Sequence, residues 1–246
     1  MLTKFKSRIK SRPSMAGSTG EGFPEFLAEP RESFPHGVLV TNPQQSSLAQ
    51  LTAKCMEYVE ENLTHHPAIL FRNLPAKTAE DFSIIAREIP WKALTYEGGN
   101  SLRQKIDENI GTYTANNDPD EISIDPHNEM SYNNVYPSKV SYVKIQSSFK
   151  LKPLTNVSPF HMSIAGNYEI VRREGIQENQ YPSHTFYGDG SDIEPAVIQH
   201  LLATAWSCAV GFKWRRGDLL VLDNLAVQHG RLGFEGDRKL LVYMTT

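Results

Sequence analysis

Cysteine is scarce in this chain, with two residues in 246, Cys55 and Cys208. Both fall in predicted helices among apolar neighbours, which excludes a disulfide framework or a cysteine-rich metal site. Buried free thiols in a reducing compartment are expected instead. A surplus of one charge sign is also missing. The net charge of -3 and pI near 6.2 give no electrostatic basis for a nucleic-acid partner. No apolar run approaches the roughly 20 residues that cross a bilayer, so no membrane association is expected. Internal repeats and low-complexity tracts are absent as well. What remains, 39% hydrophobic and 22% charged residues, suffices for one sizeable core. The expected organisation is a single domain over residues 23–246 behind a tail at residues 1–22. Oligomeric state is left open.

The tail carries Lys4, Lys6, Arg8, Lys10 and Arg12 with no acid before Glu21, and Leu2, Phe5 and Ile9 lie at near-helical spacing. A disordered basic tail and an organellar presequence share this composition. The first implies a cytoplasmic protein, the second a mitochondrial one.

Further along, Leu48, Leu51, Cys55, Tyr58, Val59 and Leu63 recur at helical spacing after Ser46 and Ser47, which predicts an amphipathic helix over 46–63. The run at 68–74 between Pro67 and Pro75 reads as a buried strand. Thr78, with Asp81 three residues later, opens a second helix carrying Phe82, Ile84, Ile85 and Ile89. Strands are expected at 110–115 and 140–145, and a third helix opens at Glu194-Pro195 with Val197, Leu201, Leu202, Ala205, Trp206 and Cys208 as its buried face. An apolar strand at 219–222 and a last strand at 239–244 complete an α+β, mainly β, pattern.

Two stretches carry chemistry, Asp125-Pro126-His127-Asn128-Glu129-Met130 and Asp223-Asn224-Leu225-Ala226-Val227-Gln228-His229. On a strand, residues two apart share a face, so His127 and Glu129 can present an imidazole and a carboxylate together. A His-x-Glu triplet by itself more often solvates a surface than binds an ion. With His229 added from a later strand, two histidines and one carboxylate would form a metal face with open positions, the arrangement of non-heme Fe(II) oxygenases. The other six histidines, His36, His65, His66, His161, His184 and His200, are expected to be structural or exposed.

The surroundings of these stretches narrow the choice. Tyr113-Thr114-Ala115-Asn116-Asn117-Asp118-Pro119 lies upstream of the first, and Tyr136-Pro137-Ser138-Lys139-Val140-Ser141-Tyr142-Val143 downstream. His229-Gly230-Arg231 is followed by Phe234-Glu235-Gly236-Asp237-Arg238-Lys239-Leu240-Leu241. In this order they resemble the clavaminate synthase-like branch of the taurine dioxygenase family. The resemblance implies a double-stranded β-helix, or jelly roll, flanked by helices, with His127, Glu129 and His229 holding Fe(II). It also implies 2-oxoglutarate as cosubstrate, O2 as oxidant, a small molecule as the hydroxylated substrate, and succinate and CO2 as coproducts. Arg238 matches the family's arginine for the distal carboxylate of 2-oxoglutarate, with Arg231 as the rival. A guanidinium suits that task because its planar fork makes two parallel hydrogen bonds to a carboxylate. Arg103 and Asn116 match loops near the site in relatives and are the candidate substrate contacts, with ordinary loop solvation as the other reading.

The sequence also departs from the family. Relatives follow the strand matching 140–145 with a Gly-Gly-acid-Thr strand, whose threonine commonly helps hold 2-oxoglutarate. This chain has no glycine between Gly111 and Gly166 and runs through Ser147-Ser148-Phe149-Lys150-Leu151-Lys152-Pro153 instead. A missing strand would leave an unpaired sheet edge. The alternative expectation is therefore a shortened, catalytically impaired or non-catalytic jelly-roll binding protein.

Overall fold

The computed structural model describes residues 34–97, 103–107, 110–115, 124–131, 135–145, 150–151, 187, 189–194, 197, 205, 209–232 and 234–246. The tail, Asn116, Cys208 and most of the predicted third helix lie outside the described residues. Val197, expected on the buried face of that helix, is exposed.

The chain opens with β1 (His36–Leu39), α1 (Leu48–Asn62), β2 (Ala68–Arg72) and α2 (Ala79–Glu88). Both helices begin where their side chains can satisfy the free N–H groups of a first turn. At α1, Ser47 Oγ accepts from Gln50 N at 3.2 Å, and Gln50 Oε1 accepts from Ser47 N at 2.9 Å. At α2, Thr78 Oγ1 accepts from Asp81 N at 3.1 Å, and Asp81 Oδ2 accepts from Thr78 N at 3.0 Å. Nine strands follow: β3 (Lys105–Asp107), β4 (Thr112–Thr114), β5 (Ile124–His127), β6 (Lys139–Lys144), β7 (Lys150–Leu151), β8 (Leu219–Asp223), β9 (His229–Arg231), β10 (Phe234–Glu235) and β11 (Leu240–Thr245). No helix among the described residues is long and apolar enough to cross a membrane.

Seven strands form one sheet in the order β1-β2-β8-β6-β11-β4-β3, parallel at β1–β2 and antiparallel elsewhere. Its central strands are apolar on both sides because both faces are covered, and alternation assigns each side chain to a layer. Ile69, Phe71, Val143, Leu219, Val221, Leu241 and Tyr243 pack with Val59, Phe82 and Ile85 of the two helices. Ala68, Leu70, Val140, Tyr142, Leu220, Leu222, Val242 and Met244 form a second core on the face opposite the two helices. Two further ribbons, β5–β9 and β7–β10, complete the strand pairing.

β6, the strand expected to border a gap, is paired on both sides, to β8 and to β11. The residues after it supply β7, which pairs with β10. Among the described residues the edges of the main sheet are β1 and β3 and not β6; most of residues 147–158, where the missing block was expected, lie outside the described residues.

One turn ties the centre of the sheet together. Gly217 has φ +84°, and a Cβ there would lie 2.2 Å from the Leu74 carbonyl oxygen, so the position accepts only glycine. Its N–H donates to Lys144 O at 2.9 Å and its carbonyl accepts from Leu74 N at 3.1 Å. This joins the exit of β2, the end of β6 and the entry to β8.

Candidate metal centre

Antiparallel pairing of β5 with β9 sets His127 directly opposite His229, with ring centroids 4.4 Å apart. The register shifts between Ile124 and His127, an irregularity that re-aims the end of β5. β5 ends at His127, so Glu129 does not share a strand face with it as the spacing predicts. Glu129 instead reaches the histidines from a turn, in which Met130 takes the left-handed φ of +53°. One ligand atom from each of His127, Glu129 and His229 lies within 4.8 Å of the others, so the three could hold a metal ion.

Two asparagines hold the turn. Asn224, 1% exposed, accepts from Glu129 N at 2.7 Å and donates to Glu129 O at 3.1 Å and Pro137 O at 2.8 Å. Asn128 Nδ2 donates to Asn224 O at 2.6 Å and Val227 O at 3.1 Å. The loop carrying Glu129 is thereby tied to the loop that leads into His229. Neither asparagine was singled out from the sequence, although both lie inside the two motif stretches. An amide that both donates and accepts beside each ligand was the available signal.

The electrostatics favour ligands in their metal-binding forms. Burial and the neighbouring His127 pull the His229 pKa down to about 3, leaving a neutral imidazole. Its Nδ1 lies 3.4 Å from the Tyr142 hydroxyl, and its Nε2, buried without a hydrogen-bond partner, lies 3.9 Å from Glu129 Oε2. An orphaned buried imidazole nitrogen aimed at a carboxylate is what a metal site leaves when no ion is present. Burial pushes the Glu129 carboxyl upward, but Arg103, His229 and His127 more than offset this and hold it below its ordinary value. Tyr142, whose hydroxyl is 3.4 Å from Glu129 Oε2, is kept protonated by burial and by that carboxylate.

Arg103, expected in a substrate loop, donates to Glu129 Oε2 at 2.7 Å with both side chains 5% exposed. Its guanidinium also stacks 4.7 Å from the centre of the Tyr96 ring. Burial works against its charge and Glu129 restores it, so it stays protonated. Arg231 and Arg238 both approach the Phe234 ring, each at 5.3 Å. The charge of Arg238 also bears on the buried residues Tyr142 and Lys144. Among the other histidines, His36 hydrogen-bonds Tyr58 at 2.6 Å and stacks on His66, away from the triad.

Residues 145–244 match the family model described as taurine catabolism dioxygenase TauD, TfdA family, in keeping with the resemblance read from the sequence. The chain is 30% identical over 107 residues to the dapdiamide synthesis protein DdaC of Enterobacter agglomerans, covering 40% of this chain and 32% of that protein. It is 29% identical over 121 residues to a clavaminate synthase-like protein of Arabidopsis thaliana, covering 49% and 34%. The matches thus span about a third of the length of these curated relatives. Among solved structures, asparagine oxygenase in complex with Fe(II), 2S,3S-3-hydroxyasparagine and succinate aligns with a TM-score of 0.50 and 12% identity, over 85% of this chain and 93% of that one. At that identity the likeness is one of fold.

Proposed function

We propose that the chain is an Fe(II)- and 2-oxoglutarate-dependent dioxygenase that hydroxylates a small molecule, yielding succinate and CO2. The observation that carries this reading is the His127–Glu129–His229 cluster, with the orphaned Nε2 of His229 turned toward the carboxylate. Two imidazoles and one carboxylate suit a divalent iron and leave coordination positions open. In this reading the main sheet and the two ribbons are the walls of a jelly roll, and the face of the sheet opposite α1 and α2 lines its mouth.

The iron, when bound, supplies the activation of O2 that oxidatively decarboxylates 2-oxoglutarate. The chain's own residues do the rest. Asn128 and Asn224 fix the turn that aims Glu129. Arg103 holds the Glu129 carboxylate ionised and oriented, as outer-shell partners of metal ligands do. The Tyr142 hydroxyl beside His229 Nδ1 orients that ring so that Nε2 is left for the metal. Arg238, which matches the family's arginine in the sequence resemblance, supplies the fork for the distal carboxylate of 2-oxoglutarate, with Arg231 as the rival.

The test needs no knowledge of the hydroxylated substrate. The full chain is loaded with Fe(II) and 2-oxoglutarate anaerobically, exposed to O2, and assayed for succinate. Succinate above an iron-free control is expected. No succinate, together with no binding of Mn(II) in a calorimetric titration, would overturn the reading.

A further inference from the structure

The triad has a single carboxylate, and a buried cation already holds it. Arg103 Nη2 lies 2.7 Å from Glu129 Oε2, with each side chain 5% exposed. The same oxygen lies 3.4 Å from the Tyr142 hydroxyl and 3.9 Å from His229 Nε2, which is buried without a hydrogen-bond partner. The rest of the guanidinium is held more loosely. Its Nη1 is 3.5 Å from Thr114 O, its Nε is buried with no hydrogen-bond partner among the described residues, and its carbon stacks 4.7 Å from the centre of the Tyr96 ring. The short bond to Glu129 is therefore the contact through which the two buried charges neutralise each other.

Groups that stand behind metal ligands commonly make them better donors, as a carboxylate does when it raises the basicity of an imidazole. A guanidinium behind a carboxylate works in the opposite direction. Its charge-assisted hydrogen bond occupies the oxygen and draws electron density from it. Its positive charge also repels an arriving dication in a setting where water screens little. A lysine or a histidine could relieve that repulsion by giving up a proton, but an arginine cannot. The negative charge that would attract an ion to the triad is thus already met by Arg103.

We infer that Arg103 opposes metal binding: acting through Glu129, it makes the centre hold a divalent ion more weakly than the same three ligands would beside a neutral donor. The inference rests on the metal-binding part of the proposed function. It also separates two effects that one contact combines. Orienting Glu129 requires only a hydrogen-bond donor, whereas weakening its hold on an ion requires the charge.

Mn(II) is titrated calorimetrically into the full chain as wild type, Arg103→Gln and Arg103→Lys. Glutamine keeps a donor and removes the charge, and lysine keeps the charge. Arg103→Gln is expected to bind Mn(II) at least about tenfold more tightly than wild type, and Arg103→Lys to stay within about threefold of it. Tighter binding by both variants, or by neither, refutes the inference while the metal reading stands. If wild type and both variants fail to bind Mn(II), the metal reading fails and the inference with it. Should Arg103→Gln prove poorly folded, wild type answers by itself. Nitrogen-15 spectra of the arginine side chains, with the Arg103 signal assigned by its loss in Arg103→Lys, report how fast its N–H protons exchange with water. Exchange should quicken when diamagnetic Zn(II) is added, because the ion takes the carboxylate from the guanidinium. Unchanged or slower exchange at saturating Zn(II) overturns the inference.

Discussion

Replacing Asn224 by alanine removes a side chain that makes three hydrogen bonds while 1% exposed. It leaves the Glu129 N–H and the carbonyls of Glu129 and Pro137 without those partners. A buried polar group deprived of its partner costs about 1–3 kcal/mol. Partial entry of water into the space vacated puts the total at the lower end, about 3 kcal/mol for the three groups. In a domain of this size that corresponds to a fall in Tm of roughly 6–12 °C. The effect on metal affinity should be smaller than deleting a ligand, because Asn128 still clasps Asn224 O and Val227 O through backbone acceptors that the substitution leaves in place. A loss of about 10–100-fold in Mn(II) affinity is expected, as for other outer-shell partners. Asn224→Asp can still accept from Glu129 N but sets a buried carboxylate oxygen against the Glu129 and Pro137 carbonyls, so it should be at least as destabilising as alanine. Thermal melting and calorimetric Mn(II) titration read the two effects. An Asn224→Ala variant that melts within about 2 °C of wild type and binds Mn(II) equally well would show that the clasp neither stabilises the turn nor aims Glu129.

Other outcomes follow from the same geometry. His127→Ala and His229→Ala should greatly weaken Mn(II) binding with little loss of stability, whereas Glu129→Ala should also destabilise the fold by about 3–5 kcal/mol by stranding buried Arg103; chemical denaturation beside the metal titration distinguishes them. Arg238→Lys should weaken 2-oxoglutarate and spare the metal, because a point charge cannot reproduce the fork, and the charge-transfer absorbance of the Fe(II)–2-oxoglutarate complex would monitor this; loss of the band in Arg231→Lys alone would transfer the role to Arg231. Lys144 feels the charges of Arg238 and Asp218, and burial above all holds its folded pKa at about 7, below the ordinary lysine value of about 10.4. Between those values the unfolded chain holds a proton that the folded chain has released, so this residue makes stability rise with pH across the window. Lys144→Met should flatten that rise relative to wild type in denaturant titrations at pH 7 and pH 10, and parallel pH profiles would refute the lysine's part in it.

The elements that position the centre were legible where local chemistry decides them. Ser47 and Thr78 announce helix starts through side chains that cap three residues on, and the apolar runs at Ala68–Arg72 and Leu219–Asp223 are central strands. The triad was legible as three residue types in an order, but its construction was not. Same-face spacing put Glu129 on a strand with His127, whereas the chain turns after His127 because distant Asn224 supplies partners for the Glu129 backbone. Arg103 matched a loop, and only the fold shows it buried against Glu129. An unpaired edge was expected from a motif missing after β6 in the sequence, yet strand order depends on which partners are nearest in space. The fold pairs β6 with β8 and β11.

The cross-strand register of His127 and His229 has a consequence for assembly. The ribbon that carries them is short, and its two strands come from widely separated parts of the sequence, so closing it costs chain entropy that few ladder bonds return. Slipping by one residue would turn one imidazole to the opposite side of the ribbon and dismantle the triad without disturbing the main sheet. An ion that binds only the correct register would therefore act as a proofreader of folding, retaining chains in which this last ribbon has closed correctly.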